Sequence, residues 1–487
     1  MRRFLTSLFF LSITAVSPAA DRPNIVLIFA DDLGWKDVGY QGSDFMETPN
    51  LDRLAKEGMV FSNGYAAAGN CAPSRACMIS GTYTPRHHVY AVGTTDRGPK
   101  ASQRLVPVPN KSGLPRENIT FADALKAAGY ATGIFGKWHL DGKDGAKPEE
   151  QGFDVVHQSF GGWKDNVKDD ENPKGIFSLT QAAGKFMEKN KDRPFFVYLP
   201  HYAIHTALQA RPATLERFKA KAAGKQHHDP LYAACTYDLD DGIGRLLQKI
   251  KDLGIEQNTL VVFTSDNGGT QASSQEPLRG NKGGYYEGGI REPFLVRWPA
   301  VVKPGSKCDT PVINIDLYPT FLAAAGAAMP EGKVLDGESL LPLLKQEGGL
   351  KRDSIFWHFP GYLDNPVIRG RPGDVALGFR TRPVSVIRKG DWKLHLFHEE
   401  WRLDGGKEKL VSNGAAELYN LADDIGEREN LAAQDPAKRD ELLGDLLAWM
   451  KQTNALLPTE PNPEYDPSAK AAKGGGKGGK KKKAGAD

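Results

Sequence analysis

The chain has 487 residues but only four cysteines, and it has few long apolar runs. Cys71, Cys77, Cys235 and Cys308 are too few to staple a chain of this size, so a disulfide-built scaffold is excluded and at most one bridge is expected. Beyond the N-terminus no stretch is apolar enough to span a bilayer, which takes roughly 20 residues, so an integral membrane protein is not expected. A strong charge of one sign is missing too. The net charge is +3, yet the first twenty residues carry two net positive charges and residues 468–487 carry six, which leaves the main body mildly acidic. A body of that sign does not suit a nucleic-acid binder.

The two ends differ from the rest. Arg2 and Arg3 precede the apolar run Phe4 to Val16 and then Ser17-Pro-Ala-Ala20. That order predicts a secretory signal over 1–20 and export to the periplasm or the medium. At the other end, residues 468–487 are rich in Lys and Gly with nothing large and apolar to bury, so a disordered tail is expected. Between them the pattern divides into a main domain over 21–345 and a smaller one over 346–467.

Asn24 to Ala30 is a continuous apolar run with β-branched residues, the mark of a strand covered on both faces. Tyr130–Phe135, Pro194–Leu199, Thr259–Ser265 and Pro293–Trp298 read as further strands. Helices are expected over Thr48–Gly58, Asn118–Gly129 and Tyr232–Gly254, each stopped by a glycine. Alternating strands and helices predict an α/β domain with a mostly parallel central sheet flanked by helices. Past residue 345 the reading changes. Val384–Lys389 and Trp392–Phe397 flank the turn Gly390-Asp391, Glu417–Leu421 follows, and Pro436–Thr453 reads as a helix. A small antiparallel sheet with a covering helix is expected there.

In an open α/β sheet, ligands sit beyond the carboxyl ends of the strands. Four expected strand ends carry ionisable groups: Asp31-Asp32, Lys137 with His139, His201 with His205, and Asp266-Asn267. One such end is ordinary for a solvated loop or a helix cap; four are not. Asp31, Asp32, Asp266 and Asn267 offer only oxygen donors, which suit Ca²⁺ or Mg²⁺ rather than zinc.

Residues 71–81 read Cys-Ala-Pro-Ser-Arg-Ala-Cys-Met-Ile-Ser-Gly. This stretch resembles the signature of the type I sulfatases, of the alkaline phosphatase-like superfamily. Gly136–His139, the Ser-Asp-Asn-Gly-Gly element at 265–269, the Gly-Asn-Lys-Gly-Gly element that opens Gly280–Arg291, Arg388–Lys393 and Glu417–Leu421 match further elements of that family. The departures are small: Ala203-Ile204 stands before His205 where proline is common, and Cys77 stands where a small residue is usual.

The resemblance implies the sulfatase fold and the hydrolysis of sulfate esters, for an exported enzyme most plainly those of a sulfated glycan. It implies that a sulfatase-maturating (formylglycine-generating) enzyme oxidises Cys71 to formylglycine, whose hydrate attacks sulfur. It assigns one Ca²⁺, with Mg²⁺ the second choice, to Asp31, Asp32, Cys71, Asp266 and Asn267. Arg75 and Lys137 would stabilise charge, His139 would act as the base that releases sulfate, and His205 and Lys282 would protonate the leaving alcohol. For the substrate mouth the expected residues are His88, Trp163, His201, Arg279 and His358, with Arg86, Trp357 and Asp364 nearby. Two other readings compete. A phosphomonoesterase or phosphodiesterase of the same superfamily would use Ser or Thr and two zinc ions. An inactive glycan-binding protein would lack some of these ligands.

Overall fold

The computed structural model describes residues 22–158, 169–364 and 379–468. The expected leader, Trp163 and all but the first residue of the Lys-rich tail lie outside them. Nine strands form the main sheet: β1 (Asn24–Ala30), β2 (Met59–Tyr65), β3 (Ala131–Phe135), β4 (Val155–His157), β5 (Phe195–Pro200), β6 (Thr259–Ser265), β7 (Arg291–Arg297), β8 (Ser306–Cys308) and β9 (Val312–Ile313). Their order is β4-β3-β5-β1-β6-β7-β2-β8, with β9 also on β2. β1 sits near the middle and pairs in parallel with β5 and β6, and β3 pairs in parallel with β4 and β5. β7 is the reversed strand, antiparallel to both β6 and β2.

The apolar run of β1 is explained by its two faces. Ile25, Leu27 and Phe29 join one core cluster, while Val26, Ile28 and Ala30 join another. With period-2 alternation, a strand covered by helices on both sides must be apolar at every position. The register aligns the parallel strands so that their carboxyl ends finish together. Ala30 lies opposite Ser265, Phe29 opposite Pro200, and Ile134 opposite Tyr198. Residues 31–32, 136–139, 201–205 and 266–267 therefore leave the sheet at one edge.

The smaller sheet is antiparallel, in the order β10 (Ser354–Phe359), β11 (Val384–Lys389), β12 (Trp392–Phe397), β13 (Ala416–Asn420). The helix Pro436–Gln452 covers it, capped by Asp435 whose carboxylate accepts from the Lys438 amide. One core cluster combines Tyr65, Ile290 and Ile313 of the main sheet region with Trp357, Val386 and Leu394 of this one. Within the same junction Lys393, fully buried, lies 2.9 Å from both Glu287 and Glu427.

Candidate active site

The shared sheet edge gathers a dense set of buried charges. Asp31 and Asp32 follow β1 and Asp266 and Asn267 follow β6, all with no exposed surface. Cys71 opens the helix Cys71–Ser80, whose ten residues are all buried, with Pro73 in the first turn where a missing amide costs nothing. Its Sγ lies 3.5 Å from Asp31 Oδ1 and 3.8 Å from Asp32 Oδ1. Donor atoms of Asp31, Asp32, Cys71 and Asp266 all fall within 4.8 Å of one another.

Basic side chains close around these carboxylates. Lys137 Nζ donates to Asp31 Oδ2 at 2.7 Å, and Lys282 Nζ donates to Asp32 Oδ2 at 2.8 Å. Arg75 donates to Asp266 Oδ2 through Nε at 3.1 Å and Nη2 at 2.8 Å, and to the Lys137 carbonyl through Nη1 at 3.2 Å. Burial pushes the carboxylates toward neutrality, yet Lys137, His205, Arg75 and Lys282 outweigh it at Asp31, which is held well below its usual range. Lys282 and His205 do the same for Asp32. Asp266 is pushed up to about 6 by burial and by Asp31. The three carboxylates are thus each met by one cation, but Asp266, crowded by Asp31, is the one least easily kept charged.

Does a hard cation fit? Asn267 Nδ2 donates to Asp32 Oδ1 at 2.8 Å and to the Gly268 carbonyl, which turns Oδ1 away from both, and that buried oxygen has no partner among the described residues. An orphaned amide oxygen beside three buried carboxylates is a donor set for an oxygen-seeking divalent ion. These residues fit a calcium-type site, and the sulfur of an unmodified Cys71 is the one soft atom in it.

Two backbone positions here are strained. Asp32 has φ 67° and His139 φ 62°, in the left-handed region that costs non-glycine residues roughly 1–3 kcal/mol. Both belong to residues that line the cavity below. His139 is nearly buried and its Nδ1 has no partner among the described residues. Burial, then Lys137 and Arg75, hold its pKa well below the ordinary value, so the ring is neutral at neutral pH. His205 Nδ1 lies 2.5 Å from the Thr206 carbonyl, which can only accept, so Nδ1 carries the proton. Its Nε2 then faces Asp32 Oδ2 at 3.7 Å.

These groups open onto a cavity of about 550 Å³, within the range of roughly 300–1,000 Å³ usual for small-ligand sites. Asp32, Cys71, His139, His205 and Lys282 line it, together with Asn70, Val92, Arg97, Thr206, Thr270, Gln271, Ala272, Asn281 and Arg380. The sequence reading missed Arg97 and Arg380 because no spacing links two loop arginines so far apart in the chain. Asn281 carried a signal, since it lies inside the Gly280–Arg291 element.

The expected mouth residues need correction. His201 is fully buried outside the lining, with neither ring nitrogen bonded among the described residues, because it continues the buried strand β5. Arg279 is buried against Tyr419 Oη at 3.1 Å and over the Tyr286 ring, where it ties the two sheets together. His358 lies on the face of β10 opposite Ile355, Trp357 and Phe359 and is still buried, held between Ser385 Oγ at 2.7 Å and the Leu456 carbonyl at 2.9 Å. Trp357 of the same strand is buried, its indole donating to the Ala66 carbonyl. His88 stacks on Tyr90 and lines a separate depression with Arg86 and Lys333. All four thiols are free, and Cys77 is a packed residue 3.4 Å from His87 Nε2.

Comparison with known proteins gives the family. The Sulfatase family model matches residues 23–327. A sulfatase of Formosa agariphila is 32% identical over 527 aligned positions, covering 90% of each chain. The N-acetylgalactosamine-6-sulfatase of Rattus norvegicus is 33% identical, covering 91% of this chain and 88% of its own. Among solved structures, Ps i-CgsB in complex with k-i-k-neocarrahexaose superposes with a TM-score of 0.68 at 29% identity, over 90% of this chain and 95% of that one. A family match across well over half the chain, and relatives above 30% identity along most of it, converge with the acidic strand-end cluster: the chain belongs to the sulfatase family of the alkaline phosphatase-like superfamily and is a sulfuric ester hydrolase.

Proposed function

We propose that this enzyme removes sulfate from a sulfated carbohydrate outside the cytoplasm, with residue 71 as formylglycine and one Ca²⁺ held by Asp31, Asp32, Asp266, Asn267 and residue 71. The observation that carries the reading is the position of Cys71. It stands at the N-terminus of a buried helix, against Asp31 and Asp32, and on the cavity wall with His139, His205 and Lys282. Burial, then Asp266, raises its thiol pKa well above normal, so the native side chain is a poor thiolate nucleophile. A hydrated aldehyde at residue 71 supplies an oxygen nucleophile and a second hydroxyl for releasing sulfate. The bound cation supplies Lewis-acid charge at sulfate oxygens.

The chain's own residues do the rest. Lys137 and Arg75 bring fixed positive charge beneath the sulfuryl group, where a buried setting strengthens each hydrogen bond. The helix N-terminus of residues 71–80 adds its partial positive charge. His139, neutral and with an unbonded nitrogen, is suited to take a proton. His205 and Lys282 line the other side and serve the leaving oxygen. The glycan assignment rests on the relatives: N-acetylgalactosamine-6-sulfatase, and Ps i-CgsB crystallised with a neocarrahexaose, are named for sugar substrates or ligands. Export rests on the leader-like residues 1–20, and maturation on a dedicated oxidising enzyme that reads the residues after Cys71.

Protein produced together with a sulfatase-maturating enzyme is expected to show an aldehyde on the residue-71 peptide by mass spectrometry. Cys71→Ala should fold normally and have no turnover; an active Cys71→Ala would end this mechanism. Chelation should remove activity and Ca²⁺ should restore it, whereas stoichiometric zinc in the active protein would overturn the metal assignment.

A further inference from the structure

Two polar side chains on the cavity wall have no partner of their own. Asn70 immediately precedes the helix Cys71–Ser80, with extended backbone at φ −130° and ψ 156°. Asparagine in that position ordinarily caps a helix through its side chain. Here it makes no cap bond, and its amide has no other hydrogen-bond partner among the described residues. Asn281 immediately precedes Lys282, and its Oδ1 is buried without a partner among the described residues. Each of the two residues is only 7% exposed, and both line the cavity. Buried side-chain amides are as a rule hydrogen-bonded, so two left open in one cavity point to a ligand. Their backbones are fixed. The Asn70 carbonyl accepts from the Ser74 amide at 3.1 Å, and the Asn281 carbonyl accepts from the Gly284 amide at 2.9 Å. The two segments also meet, since the Gly283 amide donates to the Gly69 carbonyl at 2.7 Å. A Cβ at Gly69 would lie 2.5 Å from the Gly284 carbonyl oxygen, so the absence of a side chain permits that approach. Consecutive Cα atoms are about 3.8 Å apart, which sets Asn70 beside residue 71 and Asn281 beside Lys282.

The chemistry of an amide narrows the ligand. A carboxamide is uncharged, donates through Nδ2 and accepts through Oδ1. Sulfate ester oxygens only accept, and the mechanism above already gives them Lys137 and Arg75. A sugar hydroxyl both donates and accepts, so it suits either amide atom, and the broad χ2 torsion of asparagine can turn either one toward it. We propose that Asn70 and Asn281 read the sugar hydroxyls nearest the sulfate ester, and so select a substrate in which those hydroxyls are free. This inference rests on the glycan sulfatase reading of the site.

The test uses matured enzyme with Asn70→Ala and Asn281→Ala. The substrates are an aryl sulfate, the monosulfated methyl hexopyranoside that the wild type cleaves fastest among its positional isomers, and the deoxy analogues of that glycoside lacking one hydroxyl near the ester. In the wild type, removing a hydroxyl that is read should cost about tenfold in kcat/KM, the loss expected when a buried partner is left unpaired. Each variant should lose about tenfold more on the parent glycoside than on the aryl sulfate, and nothing further on the deoxy analogue that lacks its own hydroxyl, the mark of a direct contact in a double-mutant cycle. Both variants should melt with the wild type, because neither amide holds another part of the chain. Equal kcat/KM for the parent and every deoxy analogue in the wild type would overturn the proposal whatever the variants do. So would equal variant losses on glycoside and aryl sulfate, which would place the amides on the sulfate itself, or a lowered melting temperature with losses on every substrate, which would make them structural. Turnover of the aryl sulfate but of no sulfated hexopyranoside would overturn the glycan reading beneath it, and no turnover of any sulfate ester by the matured wild type would overturn the sulfatase mechanism.

Discussion

His139 and His205 enter the cavity from different strand ends, and the proposed mechanism gives them separate jobs. His139 is neutral with an unbonded Nδ1, which suits a proton acceptor. His205 has its proton fixed on Nδ1 by the Thr206 carbonyl and its Nε2 toward Asp32; burial lowers its pKa, with Asp31 and Asp32 opposing that, and the proposed role is to deliver a proton to the alcohol. His139→Ala is therefore expected to release about one equivalent of alcohol per enzyme and then stall, seen as a burst in rapid-quench kinetics. His205→Ala should lose most with a sugar sulfate, by about 10²–10⁴-fold, and less with an activated aryl sulfate that needs little protonation. Equal losses on both substrates and no burst would show the two roles wrongly assigned. At this scale the sequence was informative where residues share a strand end, since Asp31, Asp32, Lys137, His139, His205, Asp266 and Asn267 do meet at one place. It failed for His201, Arg279 and His358, because a polar residue near a strand end reads the same whether it turns into solvent or into the core. Arg97 and Arg380 were invisible for the opposite reason: they reach the cavity by loop pairing, which has no periodic signal.

The helix Cys71–Ser80 explains why its residues cannot be changed one by one. Ser74 Oγ accepts from Asn314 Nδ2 at 2.9 Å, and Asn314 Oδ1 in turn accepts from the Ala67 amide, so the helix is pinned to the segment entering it. Gly81 ends it with φ +68°, its amide bonded to the Cys77 carbonyl at 2.8 Å. A Cβ there would lie 2.6 Å from Leu335 Cδ2 and 2.9 Å from Tyr318 Cβ. Gly81→Ala should thus cost about 1–3 kcal/mol from the left-handed backbone alone, with the clash added. Denaturant titration checks it; an unchanged midpoint at unchanged slope would refute this account of the glycine. The elements most legible in the sequence were the apolar strands β1, β5 and β6, whose burial on both faces leaves no room for polar alternation. β2 escaped because Ser62, Asn63 and Gly64 interrupt its apolar pattern, and β10 because it opens the second sheet without a turn signal. The helix Ile176–Asn190 also went unread, since its N-cap, Gly175, is a left-handed glycine with no capping side chain.

On the scale of the whole molecule, the parallel register of β1, β3, β5 and β6 delivers the carboxylates and histidines to one edge, and the second sheet packs against the main one through a shared core. The buried junction of Lys393 with Glu287 and Glu427, and Arg279 against Tyr419, join the two parts. The α/β class and the smaller antiparallel sheet were readable in advance from strand composition and from the turn at Gly390-Asp391. How the second sheet packs on the first was not, because that packing is set by aromatic contacts such as Tyr65 on Trp357 between segments almost three hundred residues apart. The central claim is that this assembly turns over sulfate esters through residue 71. The most direct measurement is hydrolysis of a matched pair, one aryl alcohol esterified with sulfate and with phosphate, by enzyme co-produced with a maturating partner. The account expects multiple turnovers of the sulfate ester, lost on chelation, with the phosphate ester much slower. Turnover of the phosphate ester alone, or sulfate turnover undiminished in Cys71→Ala, would contradict it.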